Sequence, residues 1–374
     1  MNAVKILNKT PLISSTRIHR SPHRAAAFVL LASLPLAAAP AHGGESFQIF
    51  VSNERSADVT VIDAGTLKTV DTIPVGKRPR GIHASPDGKR VYVALSGTPI
   101  AVPKFDANGN PVFQRGKDND EDDASHSDKS ADGIGIIDVA QRKLIGKLLV
   151  GSDPEEFSLS NSGHDLYISN EDAKSASVVN LSTGKIDHVI PIAQEPEGVA
   201  TSPDGKSFYV TCEAGGEVFV IDTTSFQSIG HFTVPPRPRS MAFLPGTNVG
   251  FIPSELTGQL NVIDTAHYKV IKTIALPEGS RPMSVKLSLD GKKLYVSNGR
   301  AGTISVLDSH TYELLNSIQV GTRPWGIALS PDGKYLYTAN GPSNDISVID
   351  LKSEKEVQRV KAGDSPWGIT IIRH

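Results

Sequence analysis

A Val-Ile-Asp signature, with apolar swaps and one Asn, returns seven times along the 374-residue chain. Its last position falls at Asp63, Asp138, Asn180, Asp222, Asp264, Asp308 and Asp350, with successive spacings of 75, 42, 42, 42, 44 and 42 residues. So regular a period places equivalent residues at equivalent points of a repeated unit. The stretch Arg323 to Asp350 shows what the unit is. Gly326 to Leu329 runs into a turn at Ser330-Pro331-Asp332-Gly333, Tyr335 to Ala339 follows, and Ile346 to Asp350 closes the unit. Proline presets φ at the second turn position, Asp tolerates the third, and Gly takes the following position where φ turns positive. Two β-rich runs around such a turn make a hairpin.

Short β-rich units of this period predict an all-β, seven-bladed propeller of four-stranded antiparallel blades. The ends of the chain fit that reading. Phe47 to Asn53, Val59 to Asp63 and Lys68 to Val75 are three strands with no first strand before them. Trp367 to Ile372 is a first strand with no hairpin after it. The C-terminal strand is therefore expected to pair with the N-terminal three, which closes the ring and protects its edges. This composite sheet is blade 7, and blades 1 to 6 run from Arg80, Glu155, Glu197, Arg239, Met283 and Trp325. The long first spacing marks an insertion at 96–133, in blade 1, with an acidic centre at Asp118 to Asp123.

The runs SPDGKRVYVA (Ser85 to Ala94), SPDGKSFYVT (Ser202 to Thr211), LDGKKLYVSN (Leu289 to Asn298) and SPDGKYLYTAN (Ser330 to Asn340) resemble the YVTN family of β-propeller repeats. Seven repeats together with the segment Asp128 to Gly133 resemble, within that family, the propellers associated with PQQ-dependent alcohol catabolism. The resemblance implies a propeller acting beside a PQQ-dependent dehydrogenase and a transport system. It does not imply that this chain binds PQQ, because the repeated tryptophan-docking pattern of PQQ dehydrogenases is missing.

Residues 1–41 carry Lys5, Lys9, Arg17, Arg20 and Arg24, no acid, an apolar run from Ala25 to Pro40 and a small-x-small site at Ala39-Pro40-Ala41. They form a secretory signal peptide, which leaves residues 42–374 as one propeller domain in the periplasm with no membrane span. Removing five basic residues takes the formal charge from −2 to −7. An acidic chain does not favour a nucleic-acid partner. Cys212 is the only cysteine, which excludes an internal disulfide and cysteine-based haem or zinc motifs. It is expected to be structural.

Strand topology sorts the loops onto two faces. The SPDG turns and the Asp-x-x-Thr turns lie on one face and are explained by turn chemistry. The loops that lead into strand one and follow strand two lie on the other, where residue identity varies between blades. That variable face is the expected binding face. After the repeat's proline stand Arg80, Glu155, Glu197, Arg239, Met283, Trp325 and Trp367; before it stand Arg78, Asp153, Glu195, Arg237, Arg281, Arg323 and Ser365. Loops after strand two add Glu171, Asp172 and Glu213. The predicted ligand- or partner-binding residues are Arg80, Glu155, Glu197, Arg239, Arg281, Arg323, Trp325 and Trp367. Arginines hold carboxylates or phosphates in bidentate geometry, and the two tryptophans, the only ones present, stack flat ligands. An ion-pair ring, Arg80 with Glu155 and Arg239 with Glu197, accounts for the same charges without a ligand.

No catalytic set converges. His188, His231, His267 and His310 fall on outer strands or structural-face turns of different blades, and His83 on an inner strand is expected to be a satisfied core histidine. No cofactor and no metal are expected, and the acidic insertion lacks the order of an EF-hand loop. The expected function is a non-catalytic, monomeric binding or accessory protein that meets a protein partner or a small metabolite on its variable face. The alternative is a lactonase-like hydrolase, with Glu155, Glu156, Glu197 and Arg80 supplying acid–base and electrostatic work. Single-stranded DNA binding is a third and weaker reading.

Overall fold

A computed structural model of the chain describes residues 46–99 and 126–373. The leader at 1–41 and residues 100–125 of the insertion, including its acidic centre, lie outside the described residues. The chain forms seven four-stranded antiparallel sheets, the predicted seven-bladed propeller. The first strand of each blade begins at the repeat's proline in six cases: Pro79–Ala84, Pro154–Leu159, Pro196–Thr201, Pro282–Leu287, Pro324–Leu329 and Pro366–Arg373. The ring closes as expected. Pro366–Arg373 pairs antiparallel with Phe47–Asn53, in the register Phe47 with Arg373 and Ile49 with Ile371.

The burial of each strand follows its place in the blade. The second and third strands are buried nearly throughout, as in Phe47–Asn53, while outer strands such as Lys185–Pro191 are mostly exposed. The core is a set of layers between blades. Phe50, Val59, Val61 and Ile73 of blade 7 pack on Ile82, Val91, Val93 and Ile137 of blade 1. β-Branched residues fill such pleated surfaces well. The recurrent turns behave as their chemistry requires. Ser202 Oγ donates to Asp204 at 2.7 Å and Gly205 closes the turn at φ 70°. Asp308 Oδ1 accepts the Thr311 backbone N–H at 2.7 Å.

Two local features position the variable face. The first is a register shift just after the proline, between Pro79 and Ile82, Pro154 and Phe157, Pro196 and Val199, Pro282 and Val285, and Pro324 and Ile327. The two residues after each proline thus leave the ladder, and a bulge of this kind re-aims side chains. The second is a left-handed backbone at all seven pre-proline positions, with φ from 41° at Arg78 to 59° at Ser365. Such a conformation costs a non-glycine residue about 1–2 kcal/mol. Because it recurs in every blade, it belongs to the fold and not to one site. Blade 4 departs from the pattern. Its inner strand is only Ala242–Leu244, preceded by an isolated Pro238–Ser254 bridge.

Hydroxyls of one blade tie down the bulge of the next. Ser52 donates to the Arg80 carbonyl at 2.6 Å, Ser169 to that of Glu197 at 2.6 Å, Thr211 to that of Arg239 at 2.8 Å and Ser297 to that of Trp325 at 2.7 Å. The insertion is anchored at its base. Asp132 Oδ1 accepts the Gly97 N–H at 2.7 Å, its Oδ2 accepts the Asp153 N–H at 3.1 Å, and Lys77 pairs with Asp128 at 2.7 Å. The segment Asp128 to Gly133 therefore has a structural role. Among the described residues no helix is long and apolar enough to cross a membrane.

Candidate functional site

The bulges bring most of the predicted charges together, and they bring them together as buried ion clusters. Arg80 lies against Glu155 and donates to Asp153 at 3.1 Å. Arg78 pairs with Glu54 at 3.1 Å. On the other side of the ring Arg239 reaches Glu197 at 2.9 Å and Glu255 at 2.6 Å, and it also contacts Glu213. Arg237 joins Glu213 at 2.6 Å, and Arg281 approaches Glu255 at 3.5 Å. The ion-pair ring predicted from sequence is thus present, and it lies below the surface: the side chains of Arg80 and Arg239 are each 7% exposed. Glu54 and Glu255 complete these clusters and were not foreseen.

Burial sets the proton affinity of these groups. It pushes the Glu155 carboxyl well above its ordinary range, against Arg80, with Glu197, Glu171 and Asp153 adding repulsion. Burial likewise pushes Glu213 up to about 7, opposed by Arg239 and aided by Glu197. Carboxyl oxygens of Asp153, Glu155 and Glu171 lie within 4.8 Å of one another, an oxygen set that suits a hard cation. Arg80 already supplies positive charge to two of the three.

Trp325 and Trp367 stack on each other at 5.3 Å between centroids, with 26° between planes. Arg323 and Arg239 lie over Trp325 at 5.0 and 5.4 Å, a cation–π arrangement. Trp325 and Trp367 are both half-buried, so the pair keeps surface open to a ligand. Beside the pair is a cavity of about 30 Å³, walled by Glu156, Glu197, Arg239, Ser240, Ser284 and both tryptophans among others. That volume holds a water or two, and a ligand larger than that must lie above it.

The inner strands line the channel in two rows. The first row, the second residue after each proline, reads Gly81, Glu156, Gly198, Ser240, Ser284, Gly326 and Gly368. The second row, two residues further on, reads His83, Ser158, Ala200, Ala242, Lys286, Ala328 and Thr370. The residues between them, such as Ile82, Val285 and Ile327, are buried in the core, and beyond the bulge alternation turns the second-row residues to the opposite side of the strand, where Ala328 packs against blade 7. Small residues fill eleven of these fourteen positions. The exceptions are Glu156, His83 and Lys286. His83 Nε2 and Glu156 Oε1 are 2.7 Å apart, and that oxygen also accepts the Phe157 N–H at 2.9 Å. His83 is not the enclosed core histidine expected from its strand, since its side chain is 36% exposed. It meets Phe157 edge-on at 4.9 Å. Lys286 keeps contact with solvent, yet desolvation by the protein around its ammonium lowers its pKa, while Glu156 raises it. The other histidines stay apart: His231 pairs with Glu217 at 3.0 Å, and His188 stacks on Phe226.

Comparison with known proteins bears on this geometry. The family model "Lactonase, 7-bladed beta-propeller" matches residues 231–363. No curated protein sequence matches the chain. Among solved structures, the periplasmic gluconolactonase of Pseudomonas aeruginosa superposes with a TM-score of 0.67 at 20% identity, over 87% of this chain and 99% of that one. A candidate 6-phosphogluconolactonase of Bacteroides fragilis gives 0.69 at 17%, over 89% and 100%. Hydrazine synthase of Kuenenia stuttgartiensis gives 0.63 at 20%, over 79% and 95%. Identities this low establish the propeller fold. The family match overturns the expectation of a non-catalytic accessory protein, and with it the expectation of no enzymatic activity. It describes lactonases and does not carry the narrower resemblance to propellers of PQQ-dependent catabolism.

Proposed function

We propose that the chain hydrolyses lactone rings at the mouth of its central channel. The observation that carries this reading is the lactonase match over residues 231–363. That span contains Arg239, Ser240, Arg281, Ser284, Arg323 and Trp325, the blade 4 to 6 side of the pocket. The tryptophan pair offers an apolar, flat surface of the kind that sugar rings and cyclic esters bury. The arginines around it carry positive charge toward the side where a ring-opened carboxylate forms. The predicted site residues divide accordingly. Trp367, Trp325 and Arg323 face the ligand, with Arg239 and Arg281 supporting them, while Arg80, Glu155 and Glu197 hold blades together through their ion pairs. The small metabolite of the variable face is then the substrate.

Release of acid from glucono-1,5-lactone, followed in a pH-stat above the uncatalysed rate, tests the reading. Turnover that saturates with substrate is expected. No turnover on glucono-1,5-lactone, its 6-phosphate or δ-valerolactone sinks it. The same reading places the enzyme outside the cytoplasm, with residues 1–41 removed. A mature N-terminus at His42 in a periplasmic fraction is the expected result, and an intact Met1 in the cytosol would refute it.

A further inference from the structure

The channel rows single out three residues that the fold does not require. Eleven of the fourteen positions in the two rows are Gly, Ala, Ser or Thr, which let neighbouring inner strands approach closely. Glu156, His83 and Lys286 break that rule, and they break it near one another. His83 and Glu156 sit on adjacent blades and touch at 2.7 Å. Lys286 stands on the blade 5 inner strand Pro282–Leu287, two residues beyond Ser284, which walls the cavity together with Glu156. The neighbouring chain is cut away to receive the carboxylate. A Cβ on Gly81 would meet Glu156 Oε1 at 2.5 Å and the Glu155 carbonyl at 2.9 Å. Glu156 also walls the cavity beside the tryptophans, while the other nearby carboxylates are taken up by arginines.

We infer that Glu156 is the general base and Lys286 the oxyanion partner of a hydrolytic centre in the channel, with His83 as the residue that positions Glu156. This assignment rests on the lactone-hydrolase reading. His83 and the Phe157 N–H both engage Oε1, which fixes the carboxylate plane and leaves Oε2 to a water. The cavity of about 30 Å³ has room for that water below a ring lying on Trp367. The water oxygen forms a bond to the lactone carbonyl carbon as its proton passes to Glu156. The carbonyl oxygen becomes an oxyanion facing the Lys286 ammonium. Collapse breaks the bond between that carbon and the ring oxygen, which leaves as an alcohol and takes the proton back from Glu156. One lactone and one water give one hydroxy acid, and the acid's proton goes to solvent. A preorganised cation in a channel that limits water is worth far more than the same charge in bulk solvent.

The test measures kcat and KM on glucono-1,5-lactone, with gluconate binding read from tryptophan fluorescence. Glu156→Gln and Lys286→Met should each lower kcat by about 10²- to 10³-fold, with gluconate binding kept within a few-fold. Glu156→Asp, which keeps the charge but shortens the reach, should fall between Glu156→Gln and the wild type. His83→Ala should lower kcat with KM little changed, and His83→Gln, which restores a donor to Glu156, should recover part of it. If the wild type turns over lactone and both Glu156 variants and Lys286→Met keep kcat within threefold, the assignment is wrong while the lactonase reading stands. If the wild type turns over no lactone, both fall.

Discussion

Replacing Arg239 with Met tests whether the buried ion cluster is a structural element. Arg239 is 6% exposed and lies within 2.9 Å of Glu197 and 2.6 Å of Glu255, and it also touches Glu213. Methionine fills much of the volume but supplies no charge. Arg237 still reaches Glu213 at 2.6 Å and Arg281 still approaches Glu255 at 3.5 Å, but the contact to Glu197 is lost. Removing one partner of a buried pair costs about 3–5 kcal/mol, because the charge left behind is desolvated and uncompensated. The cost depends on pH in a defined direction. In the wild type Glu213 is raised from 4.5 to about 7, so the folded state holds a proton that the unfolded state releases. Its contribution is fully present below pH 4.5 and is lost as pH rises through 7, a change of about 3 kcal/mol for such a shift. Without Arg239 the carboxyl rises further, and the penalty at high pH grows. Urea unfolding at pH 5, 6.5 and 8 should therefore show the variant losing about 3–5 kcal/mol at pH 8 and much less at pH 5. Tryptophan emission should also shift, since Arg239 lies over Trp325. A loss below about 1 kcal/mol at pH 8, or a loss that does not change with pH, would refute the argument.

Other outcomes follow from single contacts. Truncation after Asp364 removes the strand that pairs with Phe47–Asn53, so the exposed edge should drive aggregation, visible by light scattering; a soluble monomer with the native unfolding midpoint would contradict it. Burial pushes the Cys212 thiol up to about 12, so the native protein should not react with a thiol-specific dye until denatured, and prompt reaction would overturn the structural assignment. Gly81→Ala should displace the Glu156 carboxylate and lower lactone turnover at least tenfold while costing about 1–3 kcal/mol of stability, with unchanged kcat as the contrary result.

The fold was legible because turn chemistry is local. The SPDG turns, the Asp-x-x-Thr turns and the period of the Val-Ile-Asp signature each encode a backbone path without reference to the rest of the ring. The closure by Pro366–Arg373 could be read from counting strands at the two ends. The charges beside the proline were also legible as a group, but not their depth. Burial depends on Ser52, Ser169 and Thr211 drawing each bulge against the preceding blade, and no sequence window contains both partners. Glu54 and Glu255 went unnoticed, although they occupy the position of Glu171 and Glu213 after strand two. Aligning the repeats there would have found them. The same alignment, taken two and four residues past the proline, exposes Glu156, His83 and Lys286 against a background of small residues. Treating His83 as a lone inner-strand histidine hid that signal, because its meaning lies in the other blades.

The two kinds of charge on this face are separated by what surrounds them. Arg80, Arg237 and Arg239 point between blades, where carboxylates of neighbouring blades meet them and water does not. Their opposite signs alternate across particular blade boundaries, Arg80 with Glu155 between blades 1 and 2 and Arg239 with Glu197 between blades 3 and 4. Seven blades of nearly the same sequence offer many wrong partners, and a mispaired boundary would bury like charges at a cost of several kcal/mol. Buried ion pairs stabilise little against an apolar core of the same shape, so their value here is in fixing which blade meets which. The His83–Glu156 contact also crosses the boundary between blades 1 and 2, but unlike the arginine clusters it keeps access to solvent. A carboxylate that stays open to solvent beside a cavity is available to what enters there, as the carboxylates sealed under arginines are not.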